Sequence, residues 1–331
     1  MEISIIMPVY NEKVLLKRSI SSVINQTFRD WELIIVDDGS TDAILTYCEP
    51  YLNTDSRIQL YRQKHAGLAA ARNYGVSLAH GKYIAFVDAD DYMHPQMLEQ
   101  LYDDIKASQV KLAIGAFTRF QKLAPMKNYE RVTPEIWDLS IDSTDLAKAV
   151  RKDNVYAWNK LYDKSLFEHL KFGEGRFYED TAVMHLFWEE AGRVSYNSNV
   201  LYYYYTNPKG IIQTYDAKKI GDCLWAYEKR IRYYYDKQYI TDLEHVTHTF
   251  LYMAYELYEN GAQHCGIRKE EIRRKIRKRV KRVFLKYNLE QYFPFHGRVR
   301  YRMFVYYPSL FEAELAFRQM RRKIFAKKNG V

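Results

Sequence analysis

The first 115 residues alternate between short apolar segments and helical patterns, and this alternation limits the folds open to the chain. Apolar runs at residues 3–7, 33–36 and 83–87 fit buried strands. Between them, residues 13–25 and 68–79 carry apolar side chains at helical spacing. Alternation of this kind predicts an α/β fold with a mostly parallel, Rossmann-like sheet. Ligands of such folds bind outside the carboxyl ends of the strands.

Three polar segments follow the predicted strands directly, at residues 8–11, 37–40 and 88–91. Because parallel strands end at the same edge of a sheet, we expect these segments to converge on one crevice. The region from residue 116 to 215 is less regular and rich in aromatic residues, and the pattern from 216 onward is helical. We therefore expect an α/β domain with two halves, at 1–115 and 116–215, and a helical add-on domain at 216–331.

Three carboxylates, those of Asp88, Asp90 and Asp91, crowd the end of the predicted strand at 83–87. They repel one another, and a hard divalent cation with oxygen ligands is the simplest compensation. Mg²⁺ and Mn²⁺ usually take one or two protein carboxylates and leave their other positions to water and phosphates. The turn therefore predicts a cation that bridges the protein and a diphosphate. The alternative is a solvated acidic turn that caps the next helix.

A second acidic turn, Asp37-Asp38-Gly39-Ser40, strengthens this interpretation. Gly39 permits a tight turn and Ser40 suits a helix cap, but capping does not explain a carboxylate at Asp37. A carboxylate at a strand end can accept a hydrogen bond from an imide N–H such as that of uracil. Two such turns on neighbouring strands favour a crevice for a nucleotide diphosphate over two unrelated loops.

These motifs resemble the bacterial family 2 glycosyltransferases of the GT-A fold. The similarity follows both the residues and their spacing over about residues 1–205. The segments that carry it are 4–11, 22–28, 32–42, 67–75, 81–91, 158–162 and 178–181. This sequence departs from the family pattern after Tyr205, where many relatives have an Arg and then a Gly-Ser pair. This chain has Thr206-Asn207-Pro208-Lys209-Gly210, and Lys209 is the candidate to replace the phosphate contact that the family makes from this loop.

The resemblance makes 1–115 the donor-binding half and 116–215 the acceptor-binding half of a GT-A domain. It also implies roles for individual residues. It makes Asp37 the acceptor of the uracil imide, Asp90 the main metal ligand, and Asp88 a neighbour of the ribose or of a metal-bound water. It makes Asp180, in the Glu179-Asp180 pair, the general base; without the resemblance, this pair reads as the acidic first turn of a helix. The residues it places at the donor and metal are Pro8, Val9, Tyr10, Asn11, Asp37, Gly67, Arg72, Asn73, Asp88, Ala89 and Asp90.

The function implied is metal-dependent, inverting hexosyl transfer with Mn²⁺ or Mg²⁺. A UDP-sugar, with galactose as the first choice, is the donor. The acceptor is a hydroxyl of a growing glycan on a cell-surface protein, a lipid carrier or a polysaccharide. A glucosyl- or N-acetylglucosaminyltransferase is the alternative on the same scaffold. A catalytically degenerate nucleotide-binding adaptor at the membrane is the alternative from another class.

The net charge of +9 belongs to one segment, because residues 268–286 hold eleven Lys and Arg against two Glu. Apolar residues recur there about every four positions, and residues 317–328 repeat the pattern. Such basic amphipathic helices suit an anionic membrane surface. A helix packed on the body with a charged outer face is the main alternative, and nucleic acid is the least favoured partner.

The apolar runs, the first residues and the cysteines indicate the class of the protein and its compartment. No apolar run approaches the ~18 residues of a membrane-spanning helix, and the first residues lack the pattern of a secretion signal. Three widely spaced cysteines, Cys48, Cys223 and Cys265, exclude a disulfide framework. We therefore expect a cytoplasmic protein associated peripherally with the inner face of the cell membrane.

Overall fold

The structure is a computed structural model that describes residues 1–121, 128–138, 155–207 and 215–328. The chain divides into two compact units, Met1–Gln213 and Thr214–Val331. This division lies close to the boundary expected between 215 and 216. The ranges 1–115 and 116–215 form a single unit, because strands from both belong to one sheet.

In the described part of the first unit, nine strands form one sheet. Along the chain they are β1 (Ile3–Val9), β2 (Trp31–Asp37), β3 (Ile58–Arg62), β4 (Tyr83–Phe86), β5 (Tyr92–Met93), β6 (Leu112–Phe120), β7 (Glu135–Asp138), β8 (Lys160–Asp163) and β9 (Arg193–Tyr205). Their order across the sheet is β3-β2-β1-β4-β8-β6-β9-β5, and β7 pairs with β9.

The part of the sheet formed by β1, β2, β3 and β4 is parallel, as the sequence predicts. β1 pairs in parallel with β2 and β4, and β2 pairs in parallel with β3. Every residue of β1 and β2 is buried, which explains why these strands read as continuous apolar runs. β8 runs antiparallel between β4 and β6, and β6 is parallel to β9. The second half of the unit thus extends the same sheet.

Five described helices accompany this sheet: α1 (Lys13–Ile24), α2 (Ile44–Leu52), α3 (Leu68–Leu78), α4 (Met97–Ser108) and α5 (Glu179–Ala191). The approach of α3 to the sheet depends on Gly75. A Cβ at this position would lie 2.4 Å from Cγ2 of Ile6 and 3.3 Å from Cγ2 of Val36. The missing side chain therefore lets α3 lie close against β1 and β2, which brings Arg72 of the same helix to the acidic turn.

The second unit is helical. Its described α-helices are α6 (Ala217–Lys237), α7 (Ile240–Glu259), α8 (Lys269–Tyr287), α9 (Phe295–Tyr306) and α10 (Pro308–Lys328). The stripe of α7 that includes Val246 and Phe250 is buried, in agreement with its helical spacing. No described helix of the chain has both the length and the apolar character needed to cross a membrane.

The basic segment forms α8, and its apolar face packs within the helical unit, as the alternative of a packed helix with a charged outer face predicts. All six apolar positions of the predicted stripe are buried within the unit: Ile272, Ile276, Val280, Val283, Phe284 and Tyr287. The ring of Phe284 stacks on Tyr301 with centroids 4.2 Å apart. The side chains of the second basic segment beyond Met320 lie outside the described residues.

Candidate functional site

The predicted convergence of polar segments occurs at the carboxyl ends of β1 and β2, where Val9 is in register with Asp37. Asn11 joins the two turns. Its side-chain oxygen accepts from the N–H of Thr41 at 2.8 Å, and its own N–H donates to Oγ of Ser40 at 3.0 Å. Asn11 has a φ of 52°, a left-handed conformation that Asn tolerates better than most residues. The segments at 8–11 and 37–41 therefore form one surface.

Asp37 and Asp38 play different parts in this surface. Oδ1 of Asp37 accepts from the N–H of Ser40 at 2.8 Å, and Nε of Arg62 lies 3.5 Å from its Oδ2. Asp38 accepts from the backbone N–H groups of Ala66 and Gly67 at 2.9 and 2.8 Å. Asp38 therefore fixes the loop that leads into α3, a positioning role that the sequence did not indicate.

An aromatic pair lies beside these turns. The rings of Tyr10 and His65 stack with centroids 4.2 Å apart at 23°. Tyr10 is 46% exposed, whereas Pro8 and Val9 are buried in β1. Nδ1 of His65 lies 2.8 Å from Oδ2 of Asp38, which orients the imidazole. The exposed ring of Tyr10 can thus present a flat, preorganised face to a planar ligand.

The acidic turn at 88–91 contains one buried carboxylate, that of Asp91, and two more accessible ones, those of Asp88 and Asp90. Asp91 is fully buried and accepts from the hydroxyl of Tyr202 at 2.8 Å and from the N–H of Tyr205 at 2.7 Å. Oγ of Ser19 donates to the carbonyl of Ala89 at 2.8 Å. Asp91 and Ala89 therefore hold the turn through their contacts with β9 and α1.

Asp88 and Asp90 are the half-buried carboxylates of this turn. Asp90 accepts from Nδ2 of Asn207 at 3.2 Å, and Asp88 accepts from Arg72 at 2.9 Å. Burial raises the pKa of Asp90 to about 6, and repulsion by the carboxylates of Asp88 and Glu12 adds to the effect. Among the described residues, the carboxylates of Asp88 and Glu12 thus place further negative charge near Asp90.

This donor set fits a hard divalent cation. Among the described residues, no group of three or more His, Cys, Asp and Glu side chains is arranged to enclose a metal ion. Mg²⁺ and Mn²⁺ do not require such an enclosure, because they take one or two carboxylates and complete their shell with water and phosphate oxygens. Asp90 and Asp88 would supply those carboxylates.

Arg72 connects the acidic turn to the start of α5. Its guanidinium is 1% exposed and donates to Glu179 at 2.6 Å and to Asp88 at 2.9 Å. Its neighbour Asn73 points elsewhere and hydrogen-bonds both backbone groups of Phe172, at 2.9 and 3.0 Å. One buried cation thus ties together two sequence motifs, at Asp88 and at Glu179, that lie 91 residues apart.

The predicted base lies in the first turn of α5. Oδ1 of Asp180 accepts from the N–H of Thr181 at 2.6 Å. Burial raises the pKa of Asp180, although Arg72 opposes the rise. Burial also raises the pKa of Glu179 to about 7, and the charge of Asp180 raises it further. Because Glu179 is 4% exposed and paired with Arg72, Asp180 is the more accessible proton acceptor of the two.

An aromatic stack lies next to the acidic turn. Trp158 packs between Tyr156 and Tyr202, with centroid distances of 4.8 and 4.3 Å and interplanar angles of 9° and 15°. Tyr204 lies 6.4 Å from Tyr156 at 18°, and both of these rings are half-exposed. The hydroxyl of Tyr202 reaches Asp91, so the stack and the acidic turn are directly linked.

Sequence reasoning missed two residues that shape this site. Arg18 of α1 donates to the carbonyl of Asp90 and lies 4.8 Å from the ring centroid of Tyr205. Asn207 contacts the carboxylate of Asp90. Neither residue belongs to a local motif, and only its spatial position reveals it. Lys209, the candidate phosphate contact, lies outside the described residues.

Several known proteins are similar to this chain in sequence. A model for Glycosyl transferase family 2 matches residues 4–171. Glycosyltransferase GlyG of Streptococcus pneumoniae is 30% identical over 68% of this chain and 81% of its own length. Glycosyltransferase GlyA of the same organism is 30% identical over 70% of this chain, which corresponds to 34% of GlyA. A cholesterol galactosyltransferase of Borreliella burgdorferi is 32% identical over 62% of this chain and 60% of its own length.

Solved structures show the same fold. Residues 1–349 of S. aureus TarS superpose with a TM-score of 0.67 at 16% identity, covering 92% of this chain and 87% of that one. A mannosyltransferase of Pyrobaculum calidifontis, solved with GDP-Man and Mn²⁺, gives a TM-score of 0.55 at 14% identity, covering 92% and 84%. TarS has also been solved with UDP-GlcNAc, at a TM-score of 0.63 and 18% identity, covering 86% and 83%.

Proposed function

The chain belongs to glycosyl transferase family 2, and we propose that it transfers a hexose from a UDP-sugar to a hydroxyl of a growing glycan, with inversion at the anomeric carbon. The observation that carries the proposal is the bridge of Arg72 between Asp88 and Glu179. This bridge holds the carboxylates suited to a metal–diphosphate close to the candidate base Asp180.

For the donor, we assign the uracil to the surface formed by residues 8–11 and 37–41. The exposed ring of Tyr10 would support the base, and Asp37 would accept from its imide. The carboxylate of Asp37 receives one backbone N–H at Oδ1, which leaves lone pairs for a further donor. TarS binds UDP-GlcNAc on the same fold, which supports a uridine nucleotide here.

We assign the diphosphate to the acidic turn. Asp90 and Asp88 would hold Mn²⁺ or Mg²⁺, which supplies charge stabilisation for the departing UDP. The raised pKa of Asp90 is consistent with a carboxylate whose natural partner is a cation. The Mn²⁺ in the Pyrobaculum mannosyltransferase supports a divalent ion on this fold. Arg72 would keep Asp88 oriented.

For the chemical step, we assign the role of general base to Asp180. Its carboxylate removes the proton from the acceptor hydroxyl while that oxygen attacks the anomeric carbon. The bond to the UDP oxygen breaks on the opposite face, so one displacement suffices and inversion follows. A base whose pKa is raised by burial accepts a proton more readily than an ordinary Asp.

For the acceptor, we assign the half-exposed rings of Tyr156 and Tyr204. Sugar rings present C–H faces that pack on aromatic faces, and the electron-rich ring attracts those hydrogens. The link of this stack to Asp91 through Tyr202 keeps it beside the donor turn. A growing glycan on a protein, a lipid carrier or a polysaccharide fits such a surface.

Galactose is the first choice of sugar, and the similarity to a cholesterol galactosyltransferase supports it. Glucose and N-acetylglucosamine are the alternatives. The deciding experiment incubates the full chain with UDP-galactose, UDP-glucose and UDP-GlcNAc, with Mn²⁺, with Mg²⁺ and with EDTA, and measures UDP release. Release from one sugar that EDTA suppresses supports the proposal. Absence of release together with intact UDP binding would favour the degenerate nucleotide-binding adaptor.

A further inference from the structure

The basic residues of helix α8 lie on different faces of the helix and differ in exposure. Six are exposed and recur at intervals of one, three and four positions, so they form one outer row along the helix: Arg274, Lys275, Lys278, Lys281, Arg282 and Lys286. The row covers twelve residue steps, about 18 Å at the usual helical rise. The apolar Leu285, 64% exposed, lies within it.

The other basic residues of the helix serve the fold. Arg273 pairs with Glu270 at 3.2 Å, and Arg279 pairs with Glu228 at 2.8 Å. Both are mostly buried, and their charges are compensated inside the unit. These pairs explain why a helix at the surface of this unit carries arginine on its flanks.

Carboxylates compensate only part of the positive charge of the outer row. Lys275 pairs with Glu271 at 2.6 Å, and Arg282 pairs with Glu228 at 3.2 Å. The other four have no carboxylate partner among the described residues: Arg274, Lys278, Lys281 and Lys286. Like charges at positions three and four apart destabilise an isolated helix, so folding of the unit does not account for this row. An external anionic surface would account for this row of positive charges.

We propose that the outer row of α8 docks the protein on anionic phospholipid headgroups. The proposal goes beyond glycosyl transfer and does not depend on it. Exposed Leu285 among the charges, and fully exposed Ile267 just before the helix, favour a bilayer over a nucleic acid, because an interface buries apolar side chains whereas a phosphodiester backbone does not. Since the buried stripe of α8 belongs to the protein core, docking is electrostatic with a small apolar contribution, and the helix does not insert its main apolar face.

The test is sedimentation of the full chain with vesicles of phosphatidylcholine alone and of phosphatidylcholine with phosphatidylglycerol. We expect binding to the anionic vesicles only, and weaker binding as salt is raised. Each Lys or Arg near such a surface changes partitioning by about fivefold. The combined variant Arg274→Gln, Lys278→Gln, Lys281→Gln and Lys286→Gln should therefore lose at least about two orders of magnitude.

A matched control removes the same net charge from exposed lysines of the first unit: Lys82→Gln, Lys106→Gln, Lys111→Gln and Lys171→Gln. It should bind anionic vesicles within a few-fold of the unmodified chain. Leu285→Ser should weaken binding by a smaller factor while leaving the salt dependence unchanged. Circular dichroism and UDP binding verify that each variant is folded, and UDP binding should be equal in all of them.

Three results would overturn the proposal. The first is equal sedimentation with neutral and anionic vesicles, or none with either. The second is an equal loss in the α8 variant and its control, since that would reflect net charge alone. The third is tighter binding of the unmodified chain to a single-stranded RNA than to anionic vesicles at the same salt, which would assign the row to nucleic acid.

Discussion

Replacing Arg72 by Met tests the centre of the described site through stability. The change removes a buried guanidinium and leaves the carboxylates of Glu179 and Asp88 without their partner. Breaking a buried ion pair from one side typically costs about 3–5 kcal/mol, because a desolvated charge is stranded. We therefore expect the free energy of unfolding to fall by about 4 kcal/mol at pH 8. Four of the five tryptophans lie in the first unit, so their emission in urea reports this loss.

The pH dependence sharpens the prediction. The pKa of Glu179 is raised from 4.5 to about 7 in the folded protein, so the native state binds its proton more tightly than the unfolded state does. Ionisation of Glu179 therefore lowers stability as pH rises from about 4.5 to 7, by about 3 kcal/mol in total. Without Arg72 the carboxylate is harder to ionise still. The loss caused by Arg72→Met should accordingly be larger at pH 8 than at pH 5, where Glu179 is protonated.

Two further variants separate this mechanism from a general packing defect. Adding Glu179→Gln to Arg72→Met removes the stranded charge and should recover at least about half of the loss at pH 8. Arg131→Met breaks a surface pair with Asp103 in the same unit, 3.1 Å in length, and should cost less than about 1 kcal/mol. A loss below about 1 kcal/mol for Arg72→Met, or an equal loss at both pH values, would refute the reasoning.

The remaining predictions address donor, base, acceptor and fold. Asp90→Ala should abolish metal-dependent UDP binding in calorimetry with Mn²⁺, and unchanged affinity would remove Asp90 from the metal site. Asp180→Asn should lower turnover by about two to four orders of magnitude and leave UDP affinity intact, whereas a joint collapse would make Asp180 a structural residue. Tyr204→Ala should raise the acceptor KM by about threefold to tenfold with the donor KM unchanged. Gly75→Ala should lower the free energy of unfolding by about 1–3 kcal/mol, because its Cβ meets Ile6, and a neutral effect would contradict the close packing of α3.

The sequence predicted the parallel part of the sheet because the signals there are local. Continuous apolar runs such as that of β2 require burial on both faces, and the polar turn after each strand marks the carboxyl edge of the sheet. The place of β8 between β4 and β6 was not predictable, since it depends on pairing between segments remote in sequence. Local pattern carries little information about such pairings.

The same distinction between local and distant signals explains which site residues could be predicted from the sequence. Asp37, Asp88 and Asp90 are visible in the sequence because each follows an apolar strand. Arg18 and Asn207 are single residues on distant elements, and only the folded chain brings them to Asp90. Helix α8 was predicted from its periodicity, but periodicity does not tell whether an apolar stripe faces a membrane or a neighbouring helix. The neighbours of α8 decide that question.

The hydrogen bonds of Asp91 have a consequence for the construction of chimaeras. One way to seek a new acceptor preference would be to exchange the downstream half of the chain with that of a relative. In this chain the strand that would be exchanged, β9, also supplies the Tyr202 hydroxyl and the Tyr205 N–H that hold Asp91. A graft that changes this strand would therefore disturb the acidic turn at 88–91 as well. A hybrid that retains both contacts is the design that keeps this turn intact while the rest of the downstream half is exchanged.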